Sequence, residues 1–334
     1  MQVFELTRRL IDIESVTPNE GEIGDFLWQQ LHNLALRFDG NAERMPVEMA
    51  RDNIFVRFGD PVVVLSTHMD TVPPFIASSE DEQLIWGRGA CDTKGIIAAM
   101  ITAAEQLLQA GRRNFGLLFV VGEERNSAGA LIAARNPRGS KFLINGEPTE
   151  NKLALGSKGA LRFEIQAQGR MAHSAYPELG DSAIEKLLNV LQRIRKIELP
   201  ADEVLGSSTL NIGTISGGRA PNVIADEARA EIFIRIVGDA NDLRSAVARA
   251  TGREADAREI LFIPPVHLGS LDGFATTVVA FTTDIPAFGG AWGEPFLIGP
   301  GSIHVAHTNE ERIAKTQITE AVGLYQQLIL RLSN

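Results

Sequence analysis

The sequence of 334 residues predicts an α/β fold: a mostly parallel sheet with helices on both faces, interrupted by a smaller inserted α+β domain. Two observations predict this class. Over the first 156 residues, short apolar strands alternate with amphipathic helical segments, as in proteins with parallel sheets. From Leu161 onwards, apolar and polar residues alternate, which is typical of strands with one exposed face.

The first part of the chain supplies helices and strands of the parallel sheet. Residues 21–36 and 95–110 carry apolar side chains at helical spacing, so each predicts a helix with one buried stripe. The segment 62–66 is a nearly continuous apolar run, which suits a strand covered on both faces. Further strands are predicted at 117–121 and 142–145.

The middle of the chain has the predicted order β-α-β-β-α-β, which matches the ferredoxin-like split unit. These elements lie at 161–167, 181–196, 210–215, 228–237, 241–251 and 260–263. Ile184 and Leu188 are among the residues that we expect on the inward face of the first of these helices. Pro264-Pro265 then marks a boundary, after which apolar patterning resumes up to a C-terminal helix at 310–332.

The domain organisation follows from these elements. We predict one domain formed by residues 1–156 and 265–334, into which residues 157–264 are inserted as a second domain. The net charge of −10, with no basic stretch, argues against nucleic acid as a partner. A single cysteine, Cys91, excludes an intrachain disulfide. No segment has the apolar core of a signal peptide or of a membrane span, so we expect a soluble, cytoplasmic protein.

Potential metal ligands follow the predicted strands at the points where these end. They are His68 and Asp70 after the first strand, Glu123 and Glu124 after the second, Glu147 after the third, His307 after an apolar segment and a glycine-rich turn, and Asp92 in the loop before the helix at 95–110. In an open α/β sheet, ligands bind outside the carboxyl ends of the strands. Any one of these residues alone is ordinary; Asp92, for instance, could simply cap the following helix.

Taken together, these side chains indicate a metal site. Carboxylates gathered in one place repel each other unless cations neutralise them. A set of histidine and carboxylate ligands suits Zn²⁺ best, with Co²⁺ or Mn²⁺ as substitutes. The set is larger than one four-coordinate ion requires, and two ions that share a bridging carboxylate would use it.

Five motifs occur in order along the chain and make the resemblance to a family specific. They are HMD at 68–70, GRGACDTKG at 87–95, the pair Glu123-Glu124, GEPT at 146–149, and GPG at 299–301 followed by AHTNE at 306–310. The set resembles the M20 family of co-catalytic zinc peptidases and deacylases, and most of all the group of acetylornithine deacetylase and succinyl-diaminopimelate desuccinylase. This family carries an inserted ferredoxin-like lid that is used for dimerisation. The resemblance therefore implies a homodimer formed through residues 157–264.

The resemblance also implies the ligands of two zinc ions per chain. Asp92 would bridge the ions, with His68 and Glu147 completing one site. Glu124 and His307 would complete the other site.

Further roles follow from the same resemblance. Glu123 would be the general base, and Asp70 would fix the tautomer of His68. His304 competes with His307 for the metal, and His307 is preferred because the A-H-x-x-E ending matches the family.

The inserted domain contributes three more candidates. GRMAHSAYP at 169–177 resembles the lid segment whose histidine, here His173, reaches the active site of the partner subunit and stabilises the oxyanion. Asn222 lies in a region that resembles the substrate contacts of the lid. Arg235 matches an arginine that holds the substrate carboxylate, but the aspartate usually found two residues earlier is Phe233 here. A surface ion pair is the alternative for Arg235.

The function predicted from these residues is hydrolysis of the amide bond of N-acyl amino acids, as in acetylornithine deacetylase, by a zinc-dependent enzyme. A dipeptidase or carboxypeptidase with the same metal centre is the first alternative, because the motif residues do not determine the acyl group. A non-catalytic binding protein of this fold is the second, and the presence of Glu123 argues against it. A two-metal phosphoesterase would require more basic groups than the sequence offers.

Overall fold

The computed structural model describes residues 2–333, which form two compact units. The first unit comprises the described residues up to Leu155, Leu268–Thr277 and those from Thr283 onwards. The second unit comprises Gly156–His267 and Val278–Thr282. The last segment joins the second unit although it follows the predicted boundary at Pro264-Pro265, and the backbone N–H of Lys158 donates to the carbonyl oxygen of Val279 at 3.1 Å.

The helices and strands have the following bounds. The α-helices are α1 Val3–Ile11, α2 Gly21–Phe38, α3 Gly95–Gln109, α4 Ala128–Ala134, α5 Ala183–Ile194, α6 Ala240–Thr251, α7 Ile285–Phe288 and α8 Lys315–Leu332. The strands are β1 Asn41–Glu48, β2 Arg51–Phe58, β3 Val63–His68, β4 Ser79–Glu80, β5 Leu84–Trp86, β6 Phe115–Val120, β7 Phe142–Asn145, β8 Leu153–Ser157, β9 Gly159–Gln168, β10 Ala201–Asp202, β11 Gly206–Ser207, β12 Thr209–Gly217, β13 Glu227–Ile236, β14 Asp256–Ile263, β15 Val266–His267, β16 Thr276–Val279, β17 Glu294–Leu297 and β18 Arg312–Ala314. No helix among the described residues is long and apolar enough to cross a membrane.

The first unit is built around a six-stranded sheet with the order β1-β2-β6-β3-β7-β17. The four strands from β6 to β17 are parallel, whereas β1 and β2 form an antiparallel hairpin at one edge. The predicted mostly parallel α/β sheet is therefore confirmed. The hairpin was not predicted, because β1 is largely polar and lies half-exposed at the edge, where no apolar run marks a strand.

Helices cover both faces of this sheet, as predicted. Val63 and Leu65 on β3 join the larger core, which is formed with α1, α2, α3 and α8. Val64, which lies between them, points to the opposite face and packs in a smaller core with α4 and α7. This burial on both sides explains why β3 reads as a continuous apolar run.

The C-terminal helix begins later than the sequence analysis predicted. It was expected from residue 310, but α8 begins at Lys315. Arg312–Ala314 instead forms β18, which pairs antiparallel with β5. The short strand holds the segment just after His307 against the loop that begins at Gly87.

The second unit contains an antiparallel sheet with the order β12-β13-β9-β14, and α5 and α6 pack against one face. The chain order of these elements is the predicted β-α-β-β-α-β. The predicted inward face of the first helix was wrong at two positions. Ile184 and Leu188 on α5 are exposed by 37% and 44%, because Leu187 and Val190 occupy the face that packs on the sheet.

Candidate metal centre

Three neighbouring strands of the first unit bring the proposed ligands to one edge of the sheet. His68 is the last residue of β3, Glu123 and Glu124 follow β6, and Glu147 follows β7. The strands are parallel, with His68 opposite Val120, so their carboxyl ends meet at the same edge. The topology explains how residues far apart in sequence meet.

His68, Asp92 and Glu124 each offer one ligand atom, and these three atoms lie within 4.8 Å of one another. Nε2 of His68 lies 3.0 Å from Oδ1 of Asp92. Asp92 belongs to a wide turn at Ala90–Lys94, immediately before α3, and its peptide bond to Thr93 is cis. All three residues are largely shielded from solvent.

His307 completes the arrangement from another segment. Its Nε2 lies 3.0 Å from Oε1 of Glu124 and 3.3 Å from Oδ2 of Asp92. The two oxygens of Asp92 thus face two different histidines, His68 and His307, which is the arrangement expected of a carboxylate that bridges two ions. Both His304 and His307 are exposed, and of the two it is His307 that contacts Asp92 and Glu124.

Glu147 is buried, and its Oε1 lies 4.0 Å from Nε2 of His68. This oxygen has no hydrogen-bond partner among the described residues. A buried carboxylate oxygen without a partner is costly, and a bound cation would compensate it. The donor set of imidazoles and carboxylates therefore fits a divalent ion such as Zn²⁺.

Asp70 connects the ends of two strands. Its carboxylate accepts hydrogen bonds from the hydroxyl of Thr17 at 2.6 Å and from the backbone N–H groups of Glu123 and Glu124 at 3.1 and 3.2 Å. Nδ1 of His68 lies 3.0 Å from the backbone oxygen of Asp70 and 3.5 Å from its carboxylate. Both oxygens are available to fix the tautomer of the imidazole, and the backbone carbonyl is the closer one.

The charges at the site shift several pKa values. Hydrogen bonds to Asp92 and Glu124 raise the pKa of His307 to about 10. Burial opposes the charge on His68, but Asp70 and Asp92 outweigh it and raise its pKa. A bound metal would displace these protons, because only the neutral imidazole is a ligand.

Burial lowers the pKa of an imidazole, whereas it raises the pKa of a carboxylic acid. It raises the pKa of Glu123 and of Glu147 well above the usual value, and the neighbouring charges of Asp92 and Asp284 add to this rise. Cations bound among these carboxylates would favour their ionised forms.

The sequence analysis missed two buried carboxylates near this centre. Asp284 immediately precedes α7 and is 1% exposed, and neither of its oxygens has a hydrogen-bond partner among the described residues. Glu311 is also 1% exposed and hydrogen-bonds to the loop that carries Asp92. The only sequence signal for Glu311 was its place after the AHTNE motif, where Glu310 fitted the A-H-x-x-E ending.

The candidates in the second unit lie in a different kind of environment. His173 and Asn222 are exposed, and the structure brings their loops together through a bridge between His173 and Val223. The backbone oxygen of Asn222 accepts from the N–H of Ser174 at 3.0 Å. Nδ1 of His173 accepts a hydrogen bond from the backbone N–H of Ala175 at 3.1 Å, and its ring packs edge-on against Tyr176.

Arg235 stacks on Phe233, with its guanidinium 4.8 Å from the ring centre. No carboxylate of the described residues lies within ion-pair distance of Arg235, so the alternative of a surface ion pair finds no support. Its Nη1 atom is buried without a hydrogen-bond partner. Glu231, four residues before Arg235 on the same face of the strand, accepts hydrogen bonds from Arg162.

The remaining histidines and the cysteine are structural. His32 stacks on Trp28, and His267 lies 3.2 Å from Asp202. Cys91 is buried.

Comparison with known proteins places these observations in a family. A family profile described as a peptidase dimerisation domain matches residues 155–257. A protein of Schizosaccharomyces pombe named as containing a peptidase M20 domain is 38% identical, over 98% of this chain and 84% of its own. A probable carboxypeptidase of Aspergillus niger is 37% identical, over 96% of this chain and 88% of its own.

Solved structures share the fold. An aminopeptidase of Bacillus cereus superposes with a TM-score of 0.83 at 18% identity, over 99% of this chain and 98% of its own. A Bacillus subtilis protein described as a dinuclear metal-binding peptidase of the M20 family has a TM-score of 0.72 at 15% identity, over 99% of this chain and 98% of its own.

Proposed function

Because the chain belongs to the M20 family of metal-dependent peptidases, we propose that it hydrolyses amide bonds in short peptides that carry a free carboxylate, using two divalent ions. The observation that carries this proposal is the position of Asp92, whose two oxygens face His68 and His307. We assign His68 and Glu147 to one ion, Glu124 and His307 to the other, and Asp92 to both.

Each residue of the site has a separate role in the proposed reaction. When bound by these residues, divalent ions such as Zn²⁺, with Co²⁺ or Mn²⁺ as substitutes, would supply Lewis-acid polarisation of the scissile carbonyl and activation of water. Glu123 takes the proton of the attacking water and passes it to the leaving amine, which then departs as a neutral group. Burial and the charges of Asp284 and Glu124 raise the pKa of Glu123 in the metal-free protein, and bound cations would act against this rise and favour the ionised base. Asp70 holds the imidazole of His68 and the backbone of the Glu123-Glu124 pair.

The guanidinium of Arg235, which has no carboxylate partner among the described residues, supports the proposal that the substrate carries a carboxylate. A half-buried cation has lost part of its hydration, and no anion of the described residues compensates this loss here. A carboxylate of the substrate would do so by forming charged hydrogen bonds with it. Relatives named as carboxypeptidases favour peptides as substrates. N-Acyl amino acids, cleaved as by acetylornithine deacetylase, are the second candidate, because they present the same amide next to the same carboxylate.

The second unit is proposed to mediate dimerisation. The matched dimerisation profile covers most of it, and Ile184, Leu188 and Ile215 expose apolar surface by 37%, 44% and 56%. In such a dimer, His173 would serve the partner's site. A cytoplasmic location remains a prediction from the sequence.

Metal analysis and a substrate panel together test the proposed function. After zinc loading and desalting, we expect about two ions per chain, and fewer in His307→Ala. The panel pairs dipeptides and longer peptides with their C-terminal amides, and includes N-acetyl and N-succinyl amino acids. We expect peptides with a free carboxylate to be hydrolysed and their amides to be poor substrates. A metal content near zero, or equal turnover of acids and amides, would contradict the proposal.

A further inference from the structure

Arg88 and Glu311 form a buried ion pair beside the metal centre, and none of the roles assigned above uses it. Nη1 of Arg88 lies 2.5 Å from Oε2 of Glu311, and the two side chains are exposed by only 2% and 1%. Two charges buried in this way cost desolvation energy unless further hydrogen bonds satisfy their remaining atoms. The question is which groups satisfy them.

The remaining hydrogen bonds lead directly to the metal-binding loop. The second oxygen of Glu311, Oε1, lies 3.3 Å from the backbone N of Cys91 and 3.3 Å from that of Asp92, and both N–H groups donate to it. Nε of Arg88 donates to the backbone oxygen of Pro74 at 3.2 Å. The ion pair is thus hydrogen-bonded to the backbone on both sides.

The connected segments are those that carry proposed ligands. Pro74 lies in the segment that follows His68, and Glu311 lies just after His307. Asp92 itself has backbone angles of −127° for φ and 81° for ψ, so it lies outside regular helical geometry. Its orientation therefore depends on contacts such as those from Glu311.

We propose that Arg88 and Glu311 are a positioning pair, which holds the backbone of Asp92 so that its carboxylate faces both His68 and His307 before metal binds. The inference rests on the proposed metal centre. Partners of this kind tune a site by keeping its ligands in the binding geometry, and their loss weakens metal binding although they do not touch the ion. Neither residue contacts substrate in this proposal.

The chemistry of Glu311 makes a sharp test possible. A carboxylate accepts hydrogen bonds on both oxygens, whereas a glutamine amide accepts on only one. Glu311→Gln must therefore lose either the bond to Arg88 or the bonds to Cys91 and Asp92. Glu310 is a matched control, because it is the adjacent glutamate and its side chain is 86% exposed.

The experiment measures zinc affinity of the full chain by competition with a chromophoric chelator, at a temperature where circular dichroism shows the metal-free proteins folded. We expect zinc binding to Glu311→Gln to be weaker by about 10- to 100-fold, and that of Glu310→Gln to match the parent. The double variant Arg88→Met/Glu311→Leu removes both charges and also the acceptor of the Cys91 and Asp92 N–H groups, so it provides a second variant if the single one unfolds. Its zinc affinity should fall by a similar factor.

Two results would overturn the proposal. One is parental zinc affinity in the folded double variant, which means that the pair stabilises the fold without positioning Asp92. The other is an equal loss of zinc affinity in Glu310→Gln, which means that the loss is not specific to the pair. A parent protein that binds no zinc at all would instead contradict the proposed function. The two failures are therefore distinguishable.

Discussion

The two units of the molecule present their candidate residues in opposite ways. In the first unit, His68, Asp92 and Glu124 are buried or nearly so, and their ligand atoms lie within 4.8 Å of one another. In the second unit, His173 is exposed and Arg235 lacks an ion-pair partner among the described residues. The first unit thus holds a cluster assembled in advance, whereas the second holds groups whose binding capacity is unused within it.

This difference teaches where each kind of effect should appear. Residues in a preassembled cluster determine metal content and the rate of the chemical step, because their geometry is set before substrate arrives. Residues with unused binding capacity determine what is bound and how well the transition state is held. The variants below test this division, beginning with the largest expected effect.

The largest effect is expected for Glu123→Gln in the first unit. The change keeps size and hydrogen bonding but removes the base, so kcat should fall by about 10²- to 10⁴-fold. KM and bound zinc should change little, because the lost interaction is made in the transition state. Steady-state kinetics and elemental analysis of the same preparations measure both.

Glu124→Gln is the matched control for this variant. Glu124 is adjacent in sequence, but its carboxylate lies 3.0 Å from His307, so its substitution should lower zinc content together with activity. If Glu123→Gln retains near-parental kcat while fully metallated, the proposed mechanism is wrong.

The second prediction tests whether the second unit contributes to chemistry as well as to binding. His173→Ala should lower kcat by about 10²- to 10³-fold, the cost of removing one oxyanion donor. If His173 acts across a dimer, mixing this variant with Glu123→Gln should restore some activity, because each mixed dimer then contains one intact site. Subunit exchange is verified first with differently tagged chains. Exchange without recovered activity would show that His173 does not act in the partner's site.

The third prediction concerns Arg235 and substrate binding. Arg235→Gln should raise KM for substrates with a free carboxylate by about 10- to 100-fold, since hydrogen bonds to charged groups contribute about 1.5–3 kcal/mol. Zinc content should remain parental. Arg229→Gln is the control, because Arg229 lies on the same strand and its Nε already donates to Ser216 at 3.2 Å. An equal rise of KM in both variants would remove Arg235 from the substrate site.

The same comparison explains what the sequence could predict. The parallel sheet and the gathering of His68, Glu124 and Glu147 at one edge were predictable, because buried strands have a clear apolar pattern and the ligands directly follow them. The ferredoxin-like order was predictable from alternation in strands such as β13. These signals are local in sequence, and the topology rule then brings them together.

The features that the sequence did not predict depend on contacts between distant segments. Glu311 looks like an ordinary polar residue next to Glu310, and only the fold places Arg88 against it. Strand β18 has three residues and pairs with an equally short strand, so it carries no periodic signal. The prediction that Ile184 and Leu188 lie on the inward face of α5 was wrong. An apolar side chain suggests burial, but the sequence does not show which other element packs against it.

The smallest effect on activity is expected from Asp284, because its predicted contribution is to stability. Burial raises the pKa of Asp284 from 3.8 to about 7 in the folded protein, and the charges of Asp70 and Glu124 add to the rise, while Ser127 and His68 oppose it. A carboxyl group with a raised pKa binds its proton more tightly in the folded state than in the unfolded state. The free energy of unfolding of the metal-free protein should therefore fall as the pH rises from about 4 to 7.

Asp284→Asn isolates this contribution, because the amide has a similar shape and does not ionise. The stability of the variant relative to the parent should increase between pH 4 and 7 and then level off, since the parent loses stability in that interval only. Urea unfolding of metal-free samples at several pH values measures the difference. Asp60→Asn, at a fully exposed side chain, is the control and should leave the difference constant. A constant difference for Asp284→Asn as well would mean that the pKa of Asp284 is the same in the folded and unfolded states, so that burial does not raise it.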